Sequence, residues 1–402
     1  MNSKYDIVIV GGGAAGFFTA INIVEKNPSY KVAILERGKE VLTKVKVSGG
    51  GRCNVTHACF VPNDLVKYYP RGEKELRGPF HQFCSGDTIE WFEKHGVELK
   101  IEEDGRMFPV SNSSQTIIDC FTQATKKLGI DILTGQSVQS IFKATEYWKV
   151  ETNQETFSCQ KLVMATGSNP KIWDLLTEIG HAIIPPVPSL FTFNIKDKRI
   201  KDLMGVSAVA SVKVKNSKLE ASGPLLITHW GMSGPGILRL SAWGARELAE
   251  KKYLFAIQVN WLNDLTLEEA EEKLKELKLE HSKKVVCKKS PFDFPNRLWE
   301  SLVIATEISE EIKWADLTKK QLQNLAQQLT QGEFQVNGKS TFKEEFVTAG
   351  GIDLKEVNFK TMESKIHTNL YFSGEIVNID AITGGFNFQN AWTGGYIVAE
   401  AI

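Results

Sequence analysis

Long apolar runs are missing from this 402-residue chain: the longest, such as Tyr5–Val10 and Lys161–Ala165, are strand-sized. They fall far short of the ~20 residues a helix needs to cross a bilayer, so no membrane partner is expected. The N-terminus lacks a signal peptide's succession of basic, apolar and small residues, and a cytoplasmic address is the expectation. Excess charge of one sign is also missing. Lys and Arg number 48 and so do Asp and Glu, which leaves no broad field to favour nucleic acid as a partner. Cysteine is sparse: six thiols (Cys53, Cys59, Cys84, Cys120, Cys159 and Cys287) are too few for a disulfide scaffold, and none stands in a C-x-x-C pair. The seven histidines are scattered, without an H-x-x-x-H spacing, so no metal site is expected. Any demanding chemistry must then come from elsewhere.

What is present is a globular composition, 42% hydrophobic and 24% charged, over a length that suggests two to three domains. The fold class reads as α/β. Tyr5–Val10 is an apolar strand, Gly11 to Gly16 a glycine turn, Ala14 to Lys26 a helix, and Lys31–Glu36 a second strand. This βαβ unit starts a parallel sheet. From about Pro185 the texture shifts to short alternating segments of a small antiparallel β-barrel-like domain, with Pro185–Pro188 as a stiff connector. Near Asp264 it shifts again to Glu/Lys/Leu-rich helices. The expected organisation is a discontinuous Rossmann-like domain (1–188 and 343–402), a β-barrel-like domain (189–262 and 331–342) and a helical insert (263–330).

Gly11-Gly12-Gly13-Ala14-Ala15-Gly16 fits the dinucleotide pattern G-x-G-x-x-G directly after a strand, with Glu36 ending the next one. Gly11 permits the tight turn, Gly13 lets a pyrophosphate approach the backbone, and Gly16 lets the helix lie close to the sheet. Free N–H groups at Ala14 and Ala15 then face the phosphates. Glu36 is expected to accept from the ribose hydroxyls, with Arg37 beside it. The bland alternative is a glycine turn that binds nothing.

Three later segments select FAD over NAD as the resident cofactor. Lys44 precedes a second backbone-exposing loop, Ser48-Gly49-Gly50-Gly51-Arg52-Cys53-Asn54, suited to the pyrophosphate-to-flavin span. Val163–Gly167 is a strand ending in Ala165-Thr166-Gly167, similar to the segment that closes over FAD in glutathione-reductase-like flavoproteins. Gly374-Glu375, Asp380 and Gly384-Gly385-Phe386-Asn387 precede a final helix whose positive end suits a reduced flavin, with the acids placed to bind ribityl hydroxyls. Val138 joins the cofactor set. Arg52 and Asn54 have a structural turn role as the alternative.

Together with Gly105-Arg106-Met107-Phe108-Pro109, Thr228–Pro235, Thr348–Ile352 and Thr361–Lys365, these motifs resemble the BaiN/RdsA-like FAD-dependent oxidoreductases over nearly the whole chain. The resemblance implies a Rossmann-type FAD domain with β-barrel-like and helical insertions. It also implies oxidation or reduction of a small organic substrate; aminoacetone oxidase and reductases of conjugated double bonds in steroid-like compounds are members. His57 departs from the asparagine usual at that place.

Arg106 is the candidate anchor for an anionic substrate or for negative charge on reduced flavin, with a surface ion pair as the alternative. His229, in Thr228-His229-Trp230-Gly231, is the candidate proton donor or acceptor, with a buried histidine bonded to a carbonyl as the alternative. His57 and His81 have weaker cases. Cys53 and Cys59 are separated by five residues and lack a supporting motif, so a redox disulfide is not expected. Trp230, Trp392 and Phe386 are either pocket walls or core. The expected activity is hydride transfer through flavin N5 to or from a small molecule, with NAD(P)H as a transient donor or oxygen as acceptor. A flavin-dependent RNA-modifying enzyme and a flavin-bearing sensor without turnover are the rivals.

Overall fold

The computed structural model describes residues 2–263, 265–340 and 347–402. The expected change of texture at Asp264 and the expected boundary at 342/343 lie outside the described residues. The chain divides into two compact units, Met1–Val187 with Lys343–Ile402, and Pro188–Phe342.

In the first unit, strand β1 (Asn2–Val10), helix α1 (Ala14–Lys26) and strand β2 (Val32–Glu36) form the βαβ unit. Strand β1 pairs in parallel with β2 (Ile7 opposite Val32) and with the strand Thr156–Met164 (Ile9 opposite Val163). The parallel core continues from β2 to Asp131–Thr134 and from Thr156–Met164 to Leu370–Phe372. Ile7, Val8 and Ile9 are wholly buried, the continuous apolar pattern of a strand covered on both faces. The C-terminal helix Phe386–Ala401 packs on α1: a methyl on Gly395 would sit 2.7 Å from the Thr19 hydroxyl, so the two helices approach to backbone contact. Phe18 and Trp392 meet across this interface with ring centroids 5.2 Å apart.

A buried polar network runs through the same interface. Gln389 Oε1 accepts from the hydroxyls of Thr56 (2.6 Å) and Thr88 (2.9 Å), its Nε2 donates to Thr393, and Thr393 donates to the Phe83 carbonyl. Trp392 donates to the Val55 carbonyl. These bonds hold the short strand Thr56–His57 at the start of the helix.

Pro185–Pro188 is not a free connector. Ile183–Pro188 is a strand paired with Thr348–Ile352 in a two-stranded sheet. Prolines are tolerated there because each strand has a side that needs no ladder donor.

The second unit is built on a seven-stranded sheet, in the order Gly332–Asn337, Leu254–Asn260, Ser207–Val214, Glu220–Ile227, Gly231–Ser233, Thr192–Asn194 and Lys339–Ser340. The strands alternate buried and exposed residues, as in Ser207–Val214. Helices Leu267–Glu280, Asn296–Ile304 and Lys319–Gln331 share one hydrophobic cluster with this sheet, Trp299, Leu325 and Ile257 among its fully buried members. No helix among the described residues is long and apolar enough to cross a membrane.

Candidate cofactor cleft and active site

The turn after β1 separates its glycines by function. Gly11 has φ +117°, and a methyl there would lie 2.4 Å from the Ala165 carbonyl oxygen; a methyl on Gly16 would lie 2.0 Å from the Gly11 oxygen. Both positions are closed by backbone. Gly13 differs: it begins α1 at φ −97°, and a methyl there would meet nothing within 4 Å. The space over Gly13 is therefore open, beside first-turn N–H groups that have no partner within the helix. No acidic residue occupies that first turn itself, which leaves its positive end to a ligand. This open cradle, which a side chain would fill, fits the diphosphate of a dinucleotide.

Next to the cradle lies a cleft of about 290 Å³, whose walls include Gly11, Glu36, Arg37, Val138, Thr166 and Asn169. Five of these six were expected from the sequence, and the fold brings them together from four separate segments. Glu36 has an additional duty: its carboxylate accepts from the backbone N–H of Gly12 (2.9 Å) and of Gly38 (2.7 Å). It clamps the glycine turn to the end of β2. Asn169 was not anticipated. An asparagine before a proline reads as a helix start, and nothing in the local pattern points it at a ligand.

The second glycine loop follows a short helical turn from Thr43. Gly49, Gly50 and Gly51 have φ of +58°, +68° and +80°, three consecutive left-handed residues that only glycine adopts without cost. Beyond them, Arg52 pairs with Glu102 (2.6 Å) and lies 3.9 Å from the Phe108 ring centre. With its amide oriented to satisfy both ends, Asn54 accepts from the Gly385 N–H (3.0 Å) and donates to the Thr56 carbonyl (3.1 Å). It thereby ties this loop to the start of the C-terminal helix. Cys53 is wholly buried, and burial pushes its thiol up to about 12. Cys53 and Cys59 are both free thiols.

Lys44, Gly167 and Glu375 meet at one point. Lys44 Nζ is 2.8 Å from Glu375 Oε2, the Thr348 N–H donates to Oε1 (3.0 Å), and a methyl on Gly167 would lie 3.6 Å from Oε2. Gly374, at φ +76°, approaches Ala15, so the C-terminal segment touches the first turn of α1.

Asp380, expected to bind cofactor hydroxyls, is placed otherwise. It is wholly buried and is held by both the Nε (2.5 Å) and a terminal nitrogen of Arg71. A carboxylate removed from water needs such a partner, and the fold supplies one from 309 residues away. Asn387 is likewise engaged, its amide bonded to both the N–H and the carbonyl of Ala381. Phe386 and Trp392 are core rather than pocket wall, 1% and 0% exposed. Gly385 begins the final helix at φ +95°, against the Thr56 carbonyl.

The three-stranded sheet Thr56–His57, Arg106–Pro109 and Leu99–Ile101 sets His57 opposite Arg106. Arg106 is half-exposed and pairs with Asp104 (2.7 Å) and Glu102 (3.4 Å). His57 stacks on Phe386 at 4.6 Å, and its Nε2 lies 3.1 Å from the Asp104 carbonyl. Burial lowers its pKa below the ordinary value, which keeps the ring neutral near pH 7. His229 belongs to the other unit, exposed in the turn between Glu220–Ile227 and Gly231–Ser233, so it is not a histidine buried on a carbonyl. No group of three or more His, Cys, Asp or Glu able to hold a metal occurs among the described residues.

The profile of the HI0933-like protein Rossmann domain matches residues 5–401. A ribosomal RNA dihydrouridine synthase of Escherichia coli is 28% identical over 409 residues, covering 99% of this chain and 98% of the relative. A 3-dehydro-bile acid delta(4,6)-reductase of Clostridium scindens is 26% identical, covering 98% of each. Among solved structures, the 3-ketosteroid-delta4-(5alpha)-dehydrogenase of Rhodococcus jostii shares the fold at a TM-score of 0.50 and 10% identity, over 99% of this chain and 97% of that one.

Proposed function

This chain belongs to the HI0933-like Rossmann-domain family of FAD-dependent oxidoreductases, and from that premise we propose that it reduces a carbon–carbon double bond conjugated to a carbonyl in a small organic molecule. The observation that carries the reading is the pair of relatives matched end to end, one named for a delta(4,6)-reductase and one for the synthesis of a dihydro-pyrimidine. Both names describe saturation of a double bond beside a carbonyl.

Bound FAD would supply a two-electron carrier able to accept a hydride from a visiting NADH or NADPH and pass it to the substrate. The chain's own residues have other tasks. Gly13 and the N–H groups of Ala14 and Ala15 hold the diphosphate. Glu36, Arg37 and Val138 line the adenosine end, and Ser48–Gly51, Ala165–Gly167 and Gly374–Glu375 line the course towards the flavin. The end of the helix beginning at Phe386, free of acids in its first turn, favours negative charge at the pyrimidine edge. Arg106 serves as the anchor of the substrate carbonyl or an anionic group. Six free thiols suit a reducing cytoplasm.

A second reading, reduction of a uridine in ribosomal RNA, is favoured by the full-length 28% relative. The balance of 48 basic and 48 acidic residues favours a small molecule instead. Anaerobic mixing decides. The reconstituted yellow protein is reduced with NADPH or NADH, and flavin absorbance is followed on adding a 4-en-3-one steroid or protein-free ribosomal RNA. Reoxidation by the enone supports the proposal. Reoxidation by RNA alone, with new dihydrouridine, replaces it, and protein that stays colourless with FAD removes both readings.

A further inference from the structure

Of the six cysteines, Cys53, Cys120, Cys159 and Cys287 are buried, whereas Cys59 and Cys84 are half-buried. In sequence Cys59 lies nearest to Cys53, but Cys53 is wholly buried and its thiol is pushed up to about 12. The fold gives Cys59 a different neighbour. Cys84 stands directly before the helix Ser85–Lys94, and its thiol donates to the carbonyl of Phe60, the residue bonded to Cys59, at 3.8 Å. A methyl on Gly86 would lie 4.0 Å from the Phe60 ring. On the other side of Cys59, the Thr56 hydroxyl lies 3.3 Å from that of Ser85. Residues before and after Cys59 therefore rest on the one helix turn that Cys84 begins.

Two cysteines join once their Cα atoms come within about 4.4–6.8 Å. Cys84 is anchored: its N–H donates to the Asp87 carboxylate (2.7 Å), and its carbonyl accepts from the Thr88 N–H (3.0 Å). Cys59 and Phe60 belong to no helix or strand, so the backbone there can shift without breaking a ladder. The two sulfurs also sense one another. Burial, and then Asp64, pushes the Cys59 thiol up, and charge on Cys84 adds to the increase. Burial likewise pushes up the Cys84 thiol, against the pull of the Gly86 N–H. The thiolate is the reacting species, so such a pair reacts slowly at neutral pH and faster in alkali.

We propose that Cys59 and Cys84 form a reversible dithiol–disulfide pair, oxidised by a hydroperoxide, which fastens the segment after Thr56–His57 to the start of the helix Ser85–Lys94. One thiolate attacks the O–O bond of hydrogen peroxide, becomes a sulfenic acid and releases water; the second sulfur then displaces the sulfenic oxygen as a second water. Two S–H bonds are lost, one S–S bond forms, and the peroxide takes up the two electrons and two protons. The new bond ties down the strand that sets His57 opposite Arg106. The inference goes beyond the FAD reading and stands or falls separately from it.

The test treats the reduced, folded full-length chain with a small excess of hydrogen peroxide, quenches with acid, alkylates the remaining thiols in denaturant and maps the peptides without reduction. Cleavage at Lys67, Arg71, Lys74 and Arg77 separates the two cysteines, so a bond between them appears as one linked pair of peptides. Alkylation is expected to fall from six thiols to four, with the Cys59 and Cys84 peptides linked and dithiothreitol restoring both. The link is expected to form up to about tenfold faster for each unit of pH between 7 and 9. C59S and C84S each lose it, and oxidation raises the thermal unfolding temperature of wild type but of neither variant. Six alkylated thiols after peroxide overturn the inference. So does a bond from either cysteine to another residue or to a second molecule, or conversion of both to sulfinic acid. If a variant fails to fold, the wild-type peptide map decides alone.

Discussion

Gly13 and Gly16 lie three residues apart in one turn, and the structure assigns their substitution by alanine opposite outcomes. At Gly16 the added methyl would sit 2.0 Å from the Gly11 carbonyl oxygen. Helix α1 would have to withdraw by roughly 1.5 Å to restore a contact near the ~3.5 Å optimum. Overpacking of this kind costs about 1–3 kcal/mol, occasionally more, and α1 also carries Phe18 of the aromatic core. At Gly13 the methyl meets nothing within 4 Å, and φ of −97° suits any residue. There the smaller entropy of the unfolded chain, worth about 0.4–1 kcal/mol, roughly offsets the poorer capping of alanine, about 0.5–1 kcal/mol. G13A is expected to unfold within about 2 °C of wild type, whereas G16A unfolds early or is insoluble. In FAD binding the ranking changes. The Gly13 methyl occupies the phosphate space, and loss of even one charge-assisted hydrogen bond, about 1.5–3 kcal/mol, lowers affinity about 10- to 150-fold. Thermal unfolding of the flavin-free proteins and fluorescence titration with FAD measure the two effects separately. G13A that binds FAD like wild type would refute the placement of the phosphates over Gly13.

Three other expectations concern the first unit. D380A removes the carboxylate that holds the Arg71 guanidinium in a nearly dry setting and is expected to cost about 1–3 kcal/mol in denaturant unfolding, with flavin lost only as a result of unfolding; unchanged stability with selective loss of FAD would instead make Asp380 a cofactor ligand. Q389L removes the acceptor of the Thr56 and Thr88 hydroxyls and should cost about 1–3 kcal/mol in the same assay. His181 is buried with Nδ1 on Glu356 (2.8 Å) and Nε2 near Ser364 (3.1 Å), and burial lowers its pKa from the ordinary 6.5 against the opposing pull of Glu356, with His367 nearby adding to the decrease. Its folded pKa being depressed, its contribution is complete above pH 6.5 and declines as acid protonates the unfolded chain first; thermal unfolding between pH 7.5 and 5.5 should decline less steeply in H181Q than in wild type.

The glycine turn was legible because its logic is local: strand, turn and helix lie within twenty-five residues, and Gly16 answers a contact with Gly11 that the motif itself creates. The Ser48–Gly51 loop was legible for the same reason, since consecutive left-handed residues require glycine. Asp380 was misplaced because an acid in a glycine-rich segment looks the same whether it faces a ligand or a buried arginine, and Arg71 lies far away in sequence. Pro185–Pro188 read as a connector because sequence does not reveal how few strands its sheet contains. The Gln389 network had no sequence signal at all. Its role comes from partners brought in by distant elements, and hydrophobic period carries no record of that.

The contact of Phe18 with Trp392 joins residues almost a whole chain length apart. At a ribosomal pace of about 5–20 residues per second, the apolar side of the first helix waits roughly 20–75 s for its cover to be made. Throughout that interval a greasy surface near the start of the nascent protein faces the cell, and the phosphate turn is already present while the wall opposite it does not yet exist. Shortening the wait by circular permutation should raise soluble yield while the contact of Phe18 with Trp392 is kept.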